Sequence, residues 1–152
     1  MPGVTIREHV NAPADAVFDA AADFTNAAKT IRSIRKIEIL TPGPVRVGTR
    51  FRETRMMFKR EATEEMEVTA FERPRRFALG AENHGCRYHT EIRFAPQGQG
   101  TDIEMRFEAV ALSWFAKVMS ILMHPMMRMM ARECANDLRD LKAAVEARAG
   151  RD

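Results

Sequence analysis

Three charged side chains sit where an alternating strand should hide apolar ones. In 48–58, Phe51 and Met57 share a parity with Glu53 and Arg55, while the opposite face carries Arg50, Arg52 and Thr54. The second face is plainly a solvent face, so Glu53 and Arg55 are expected to point inward. In 62–70, Met66 and Val68 share a face with Glu64, opposite Glu61, Thr63, Glu65 and Glu67. Buried charges are costly unless paired and hydrogen-bonded. Glu53, Arg55 and Glu64 are therefore expected to pair with one another across a hairpin, with the Tyr88 hydroxyl beside them. A buried glutamate whose pKa is raised can serve as a general acid or base. Glu53, Glu64 and Tyr88 are the catalytic candidates, with Arg55 or Tyr88 holding a carbonyl. A second reading stands beside this one. A bulge near 58–60 would flip the parity and send the same charges to solvent, and no turn chemistry marks that hairpin.

Other chemistry is absent from the pattern. His84-x-Cys86-x-x-His89 has the look of a metal set, but strand parity puts His84 and Cys86 on one side and His89 on the other. No metal and no cofactor are expected. His9 and His124 have no adjacent partner in sequence. There is no phosphate-cradling glycine loop, nucleophile elbow or dinucleotide fingerprint. Ser33, Ser113 and Ser120 lie in no recognisable catalytic setting.

The charge balance is mild, 24 basic against 21 acidic residues, net +3. The charges are interspersed rather than clustered on one face, which argues against nucleic acid. Arg50 and Arg52 are expected to face Glu61, Glu65 and Glu67 across neighbouring strands, and Arg73, Arg75 and Arg76 to flank a solvated turn. Cys86 and Cys134 read as reduced, mostly buried thiols. The first residues, MPGVTIREHVNAPAD, contain no apolar signal core. The most apolar stretch, 114–131, is broken by Lys117, His124, Pro125 and Arg128 and makes a poor membrane span. A cytoplasmic protein is expected.

The elements that must position these residues follow from period and punctuation. The 152 residues suit one domain. Residues 3–10 alternate as a first strand. Asn11-Ala12-Pro13 breaks it and opens a short helix over 13–22, with Asn11 or Ala12 near the cap. Asp23 is the expected cap of a second short helix, 24–30. Strands follow at 34–40, 48–58, 61–72, 77–81, 86–94 and 101–112. They are separated by Thr41-Pro42-Gly43-Pro44, Arg73-Pro74, Asn83-His84-Gly85 and the loop from Pro96 to Gly100. From 113 to 149 the apolar period becomes helical: Phe115, Met119, Leu122, Met126, Met130, Cys134, Leu138, Leu141, Val145. Ser113 can cap this helix, Gly150 lies beyond its end, and Pro125 should kink it. Seven strands joined by short turns should pair antiparallel. A sheet with one apolar face needs a cover, and only the last helix is large enough.

This order, and several strings within it, resemble the START-like or SRPBCC superfamily. The strings are Asn11-Ala12-Pro13-Ala14-Asp15-Ala16-Val17-Phe18, Gly48-Thr49-Arg50-Phe51-Arg52-Glu53, the run from Val68 to Phe77, and Asp140-Leu141-Lys142-Ala143-Ala144-Val145-Glu146. The resemblance covers nearly the whole chain, 1–152, as a single ligand-binding domain. It implies an α+β helix-grip fold, a seven-stranded curved antiparallel sheet wrapped around a long C-terminal helix, with two short helices between strands 1 and 2. It also implies an apolar cavity but no single activity, because the superfamily holds carriers, receptors, cyclases and cochaperones.

A cavity with apolar walls and a few convergent polar groups is the usual form of a small-molecule site. The first expectation is a carrier or sensor of a hydrophobic small molecule, such as a lipid, isoprenoid or polyketide-like compound. Its walls would come from Phe24, Phe51, Met57, Met66, Phe77, Ile92, Met105, Phe107, Met119, Leu122 and Met126, and its orientation from Glu53, Arg55, Glu64 and Tyr88. The second is a polyketide cyclase/dehydrase-type enzyme built on the same residues. The third is a protein- or membrane-interaction module. Methionines at 126, 127, 129 and 130 cannot all hide on one helical stripe, which suggests a homodimer face or a flexible cavity mouth.

Overall fold

The computed structural model describes residues 3–57, 59–83, 85–114, 117–118 and 126–149. One antiparallel sheet of seven strands dominates it, in the order β1-β7-β6-β5-β4-β3-β2. The strands are β1 (Gly3–Val10), β2 (Ile34–Ile39), β3 (Arg50–Met57), β4 (Arg60–Glu72), β5 (Arg76–Asn83), β6 (Cys86–Gln97) and β7 (Gly100–Ala111). Between β1 and β2 lie α1 (Ala14–Ala21), a 3-10 turn at Phe24–Asn26 and α2 (Ala27–Thr30). The last helix is α3 (Met126–Ala149). The expected α+β helix-grip architecture is therefore the one observed.

Local chemistry explains most boundaries. Pro13 takes the cap position of α1 with extended dihedrals, where its missing N–H is no loss. Asp23 does not cap the backbone as expected. Its carboxylate instead accepts a hydrogen bond from the Asn26 side chain at 2.8 Å. The β6–β7 hairpin is tighter than the sequence suggested. The strands pair as far as Gln97↔Gly100, and Gly98 supplies the positive φ of 63° that a two-residue turn needs. Pro96 is thus inside β6, opposite Thr101. β5 ends opposite Arg93, so Pro96 has no strand on its other side that needs its N–H.

Two bulges bend the sheet, between Ile34 and Lys36 in β2 and between Val68 and Ala70 in β4. Each adds local twist and curvature. No bulge falls in the β3–β4 hairpin, whose register runs unbroken from Arg50↔Glu67 to Met57↔Arg60.

The core sits on the concave face. Phe18 of α1 is fully buried, and its ring meets Phe71, Phe77 and Phe94 edge-on at centroid distances of 5.3, 5.7 and 5.2 Å. Phe24 stacks on Phe51 at 4.5 Å. Full burial of one such ring contributes roughly 1.5–3 kcal/mol, so this aromatic cluster is a main anchor of the sheet. Cys134, Leu138, Leu141 and Val145 bring α3 into the same core. Its far end is fastened to β1, where Lys142 Nζ donates to the His9 carbonyl at 2.6 Å and Glu146 accepts from the Asn11 N–H at 2.8 Å. Thr101, fully buried, donates to the Ala12 carbonyl at 2.8 Å.

His9, which has no adjacent partner in sequence, finds one across the sheet: its Nδ1 lies 2.6 Å from Asp102 Oδ1 across the β1–β7 pair. Trp114 is 79% exposed. The expected single helix over 113–149 is described only in part. Phe115, the start of the Met-rich stretch, His124 and Pro125 lie outside the described residues. Among the described residues, no helix is long and apolar enough to cross a membrane.

Candidate functional site

On β3 the alternation holds through the charged positions. Phe51 and Glu53 are buried, at 1% and 7% exposure, while Arg50 and Arg52 face solvent. Because the β3–β4 register is regular, the parity that hides Phe51 also hides Glu53 and Arg55. Glu53 stands directly opposite Glu64 on one side and Ile37 on the other.

Arg55 does not bridge Glu53 to Glu64. Its Nε donates to Glu53 Oε1 at 2.5 Å, and its Nη2 donates to Asp137 Oδ2 of α3 at 3.0 Å. The guanidinium is thus held between a strand carboxylate and a helix carboxylate. One turn back on the helix, Glu133 accepts from the Ser33 hydroxyl at 3.3 Å, and one turn on, Asp140 accepts from the Arg32 N–H at 3.0 Å. The segment between α2 and β2 therefore clips the acidic side of α3 against the edge of the sheet.

Burial sets the electrostatics here. It pushes the Asp137 carboxyl up from 3.8 to about 6, against the opposing pull of Arg55. Burial alone would lower the Arg55 guanidinium, but Glu53 and Asp137 outweigh it and hold the charge more firmly than usual. Burial, with Asp137 adding to it, pushes the Cys134 thiol up to about 11. Asp137 Oδ1 is fully enclosed and has no hydrogen-bond partner among the described residues. Such orphaned buried acceptors are few in folded proteins.

Tyr88 and Glu64 form a second, looser polar group. The Tyr88 ring stacks on Phe107 at 5.9 Å. Burial raises its phenol, and the nearby Cys86 and Glu64 raise it further. Around it lie half-buried apolar side chains, Met66, Leu79 and Phe107, packed on the margin of the core. Among the described residues, the β4–β5 pairing begins at Glu67↔Gly80. Beyond that pair an open groove of about 180 Å³ is lined by Thr63, Glu64, Glu65, Ala81 and Glu82. It is smaller than the roughly 300–1,000 Å³ of a typical ligand pocket and its walls are polar. It is a cleft beside the apolar face, not the apolar cavity expected from the sequence.

The sequence and the architecture both lead to a known family. A family model described as polyketide cyclase/dehydrase and lipid transport matches residues 1–146. The chain belongs to that family. No curated protein matches it in sequence. Among solved structures, a protein of Thermus thermophilus is 19% identical with a TM-score of 0.79, over 96% of this chain and 98% of that one. The di-domain aromatase/cyclase of the steffimycin biosynthetic pathway is 14% identical with a TM-score of 0.77, over 97% of this chain and 52% of that one. A norcoclaurine synthase of Thalictrum, solved with a transition-state analogue, is 15% identical with a TM-score of 0.72, over 97% of this chain and 96% of that one. At these identities the likeness is one of fold.

Within this polyketide cyclase/dehydrase family member, the residues named from the sequence divide into two groups. Phe24, Phe51, Phe77, Ile92 and Met105 pack against one another and their neighbours in the core. Met57, Met66, Tyr88 and Phe107 are half-buried beyond it, with Glu64. Met119, Leu122 and the side chain of Met126 lie outside the described residues. His89 is exposed and Cys86 half-buried on the face opposite to it, His84 is not described, and among the described residues no cluster is arranged to hold a metal.

Asp137 was missed. The signal was present: it lies three residues after Cys134 and four before Leu141, on the apolar stripe of the helix, and an acid there is buried or paired.

Proposed function

We propose that this chain binds an apolar small molecule on the concave face of its sheet, beside Met66, Leu79, Tyr88 and Phe107, as a single ligand-binding domain. The observation that carries the proposal is the change in packing along that face. Fully buried aromatic rings close one end, while large apolar side chains at the other are only half covered and end at a few polar groups. The family description, which joins polyketide chemistry with lipid transport, supports a hydrophobic ligand class. The test is the mass of the purified protein under native and then denaturing conditions, followed by titration with apolar fluorophores. A fixed mass difference, or saturable uptake, is expected. No bound compound together with no uptake would overturn the reading.

One observation favours an enzyme as the second reading. A carboxyl raised by burial to about 6, even beside an arginine, has a pKa matched to general acid–base work. In that case Asp137, rather than Glu53 or Glu64, is the proton-transfer group, with Arg55 holding it in place. Turnover of an aromatic polyketide mimic that is lost in Asp137→Asn, and retained in Glu64→Gln, would support this assignment. Equal loss in both would count against it.

A further inference from the structure

We infer that the end of the molecule where β7 passes into α3 docks on an anionic lipid bilayer, with Trp114 at the bilayer interface and the cations around it over the headgroups. The inference does not depend on the binding reading above.

The register places these residues at one end of the sheet. Met57 faces Arg60 across the β3–β4 turn, Asn83 faces Cys86 across the β5–β6 turn, and Cys86 faces Ala111, the last residue of β7. α3 starts from the same end and runs away from it, since Asp137 meets Arg55 and Glu146 meets Asn11 beyond Val10. The segment after β7 is held in place. The Leu112 N–H donates to the Gly85 carbonyl at 2.8 Å, and the Lys117 N–H closes a helical turn on the Ser113 carbonyl at 3.0 Å. Trp114 and Val118, four apart on that turn, share a face.

The surface so presented is apolar and positive. Among the described residues, four of the seven exposed large apolar side chains are Leu112, Trp114, Val118 and Met129. Lys59, Arg60, Lys117 and Arg128 are exposed at the same end. Along the strands, Arg7, Arg50, Arg52, Arg76, Arg93 and Arg106 are each paired with a glutamate. Lys59, Arg60 and Arg128 enter no ion pair among the described residues. Glu61 and Glu82 share this end, but Glu82 is 3.7 Å from Arg87 and in a pair with it. The sequence carries the same bias: no Asp or Glu occurs from 109 to 132, in a chain that has 21 of them. The cations and apolar side chains are spread from β4 to β7 and the start of α3 rather than gathered around a pocket, which suits a broad, flat partner. Tryptophan sits well at the headgroup level, and lysine and arginine are drawn to anionic lipid.

Trp114 is the one tryptophan of the chain, so its fluorescence reports on this surface alone. The purified protein is mixed with vesicles of phosphatidylcholine, with or without about one-third phosphatidylglycerol, in about 0.1 M salt. A blue shift and co-sedimentation are expected with the anionic vesicles, little of either with the neutral ones, and loss of both in about 1 M salt, where screening is nearly complete. Brominated acyl chains in the anionic vesicles should quench Trp114. Lys59→Gln, Arg60→Gln and Arg128→Gln should each weaken co-sedimentation about fivefold, and Trp114→Ala about tenfold. Arg75→Gln removes the same charge at the turn between β4 and β5, at the opposite end of the sheet, and should leave it unchanged. Equal weakening by Arg75→Gln would mean that net charge and not this end does the binding, and the inference would fail. It would fail too if the protein ignored anionic vesicles, bound neutral ones as well, or bound without quenching of Trp114. A blue shift that grows with protein concentration without vesicles would assign the surface to a second copy of the chain. A shift with polyglutamate and none with vesicles would assign it to an acidic protein. Either result overturns the bilayer.

Discussion

Arg55 Nη2 lies 3.0 Å from Asp137 Oδ2, a bond that joins β3 to α3 across 82 positions of the chain. With Glu53 on its other side, Arg55 acts as a strut between the sheet and the helix that covers it. Removing one member of such a buried set leaves a charge without its partner, which is why the cluster is costly to break and useful to titrate.

The titration has a definite sign. The Asp137 carboxyl is raised from 3.8 to about 6, so the folded chain holds that proton more tightly than the unfolded chain. The stability this contributes is full below about pH 3.8 and is lost as the pH rises through about 6. Asp19, Glu91 and Glu104 are held low by their arginine partners and act in the opposite direction as the pH falls. A difference measurement isolates Asp137. The unfolding free energy of Asp137→Asn minus that of the wild type, from urea titrations at pH 4 and pH 7.5, should shift in favour of the variant by about 1–3 kcal/mol. An equal difference at both pH values would refute the raised pKa.

Phe18 is the hub of the aromatic cluster, with three rings packed edge-on against it. Phe18→Ala should lower the unfolding free energy by about 3–5 kcal/mol through lost transfer energy and the cavity left behind. Urea denaturation followed by far-UV circular dichroism measures it, and a loss under about 1 kcal/mol would mean that the cluster collapses to fill the gap.

Gly100 has a strict spatial reason to lack a side chain. A Cβ there would stand 2.6 Å from His9 Nε2 and 2.7 Å from the Val10 carbonyl oxygen. The histidine ring could turn aside, but the carbonyl belongs to β1 and its move would disturb the β1–β7 ladder. Gly100→Ala should cost about 1–3 kcal/mol, and relieving the ring alone, in His9→Ala with Gly100→Ala, should recover little of it. Full recovery in the double variant would place the clash on His9.

The two thiols should react unequally. Cys134 is buried and its thiol is pushed up to about 11, whereas Cys86 is half-buried on the sheet. The thiolate is the reactive form. A thiol reagent at pH 8 should therefore modify one cysteine per folded chain, mapped to Cys86 by peptide mass, and both after denaturation. Modification of Cys134 in the folded chain would show that the core beside Asp137 opens.

Much of this was legible in the sequence, for reasons that differ by element. β6 and β7 alternate cleanly, so Ile92 and Phe94 could be set inward, with Arg87 and Arg93 outward. Glu53 could be turned inward because Arg50 and Arg52 marked the solvent face. The hairpin that fixes this parity was harder, because Lys59 takes the positive φ of 67° that glycine or asparagine usually signals. The pairing of Arg55 was not legible. Its strand neighbours suggested Glu64, but the helix supplied Asp137, and no local pattern links residues so far apart in sequence. Pro96 misled in the other direction, since a proline at a sheet margin can remain within a strand.

The sheet order sets a schedule for making the protein. β2 through β7 form a meander in which each strand meets the one just before it. β1, the earliest of these seven strands in the chain, pairs among the described residues with β7 alone, beginning at Val10↔Thr101. The N-terminal segment must therefore wait, unpaired, until residues beyond 101 have left the ribosome, and the edge of β7 stays bare until β1 docks. An unpaired edge is a template for the wrong chain. Domains closed by such distant contacts fold more slowly than those built of local ones. Production from closely spaced ribosomes should thus favour exchange of β1 between neighbouring copies, a hazard written into the topology rather than into any one residue.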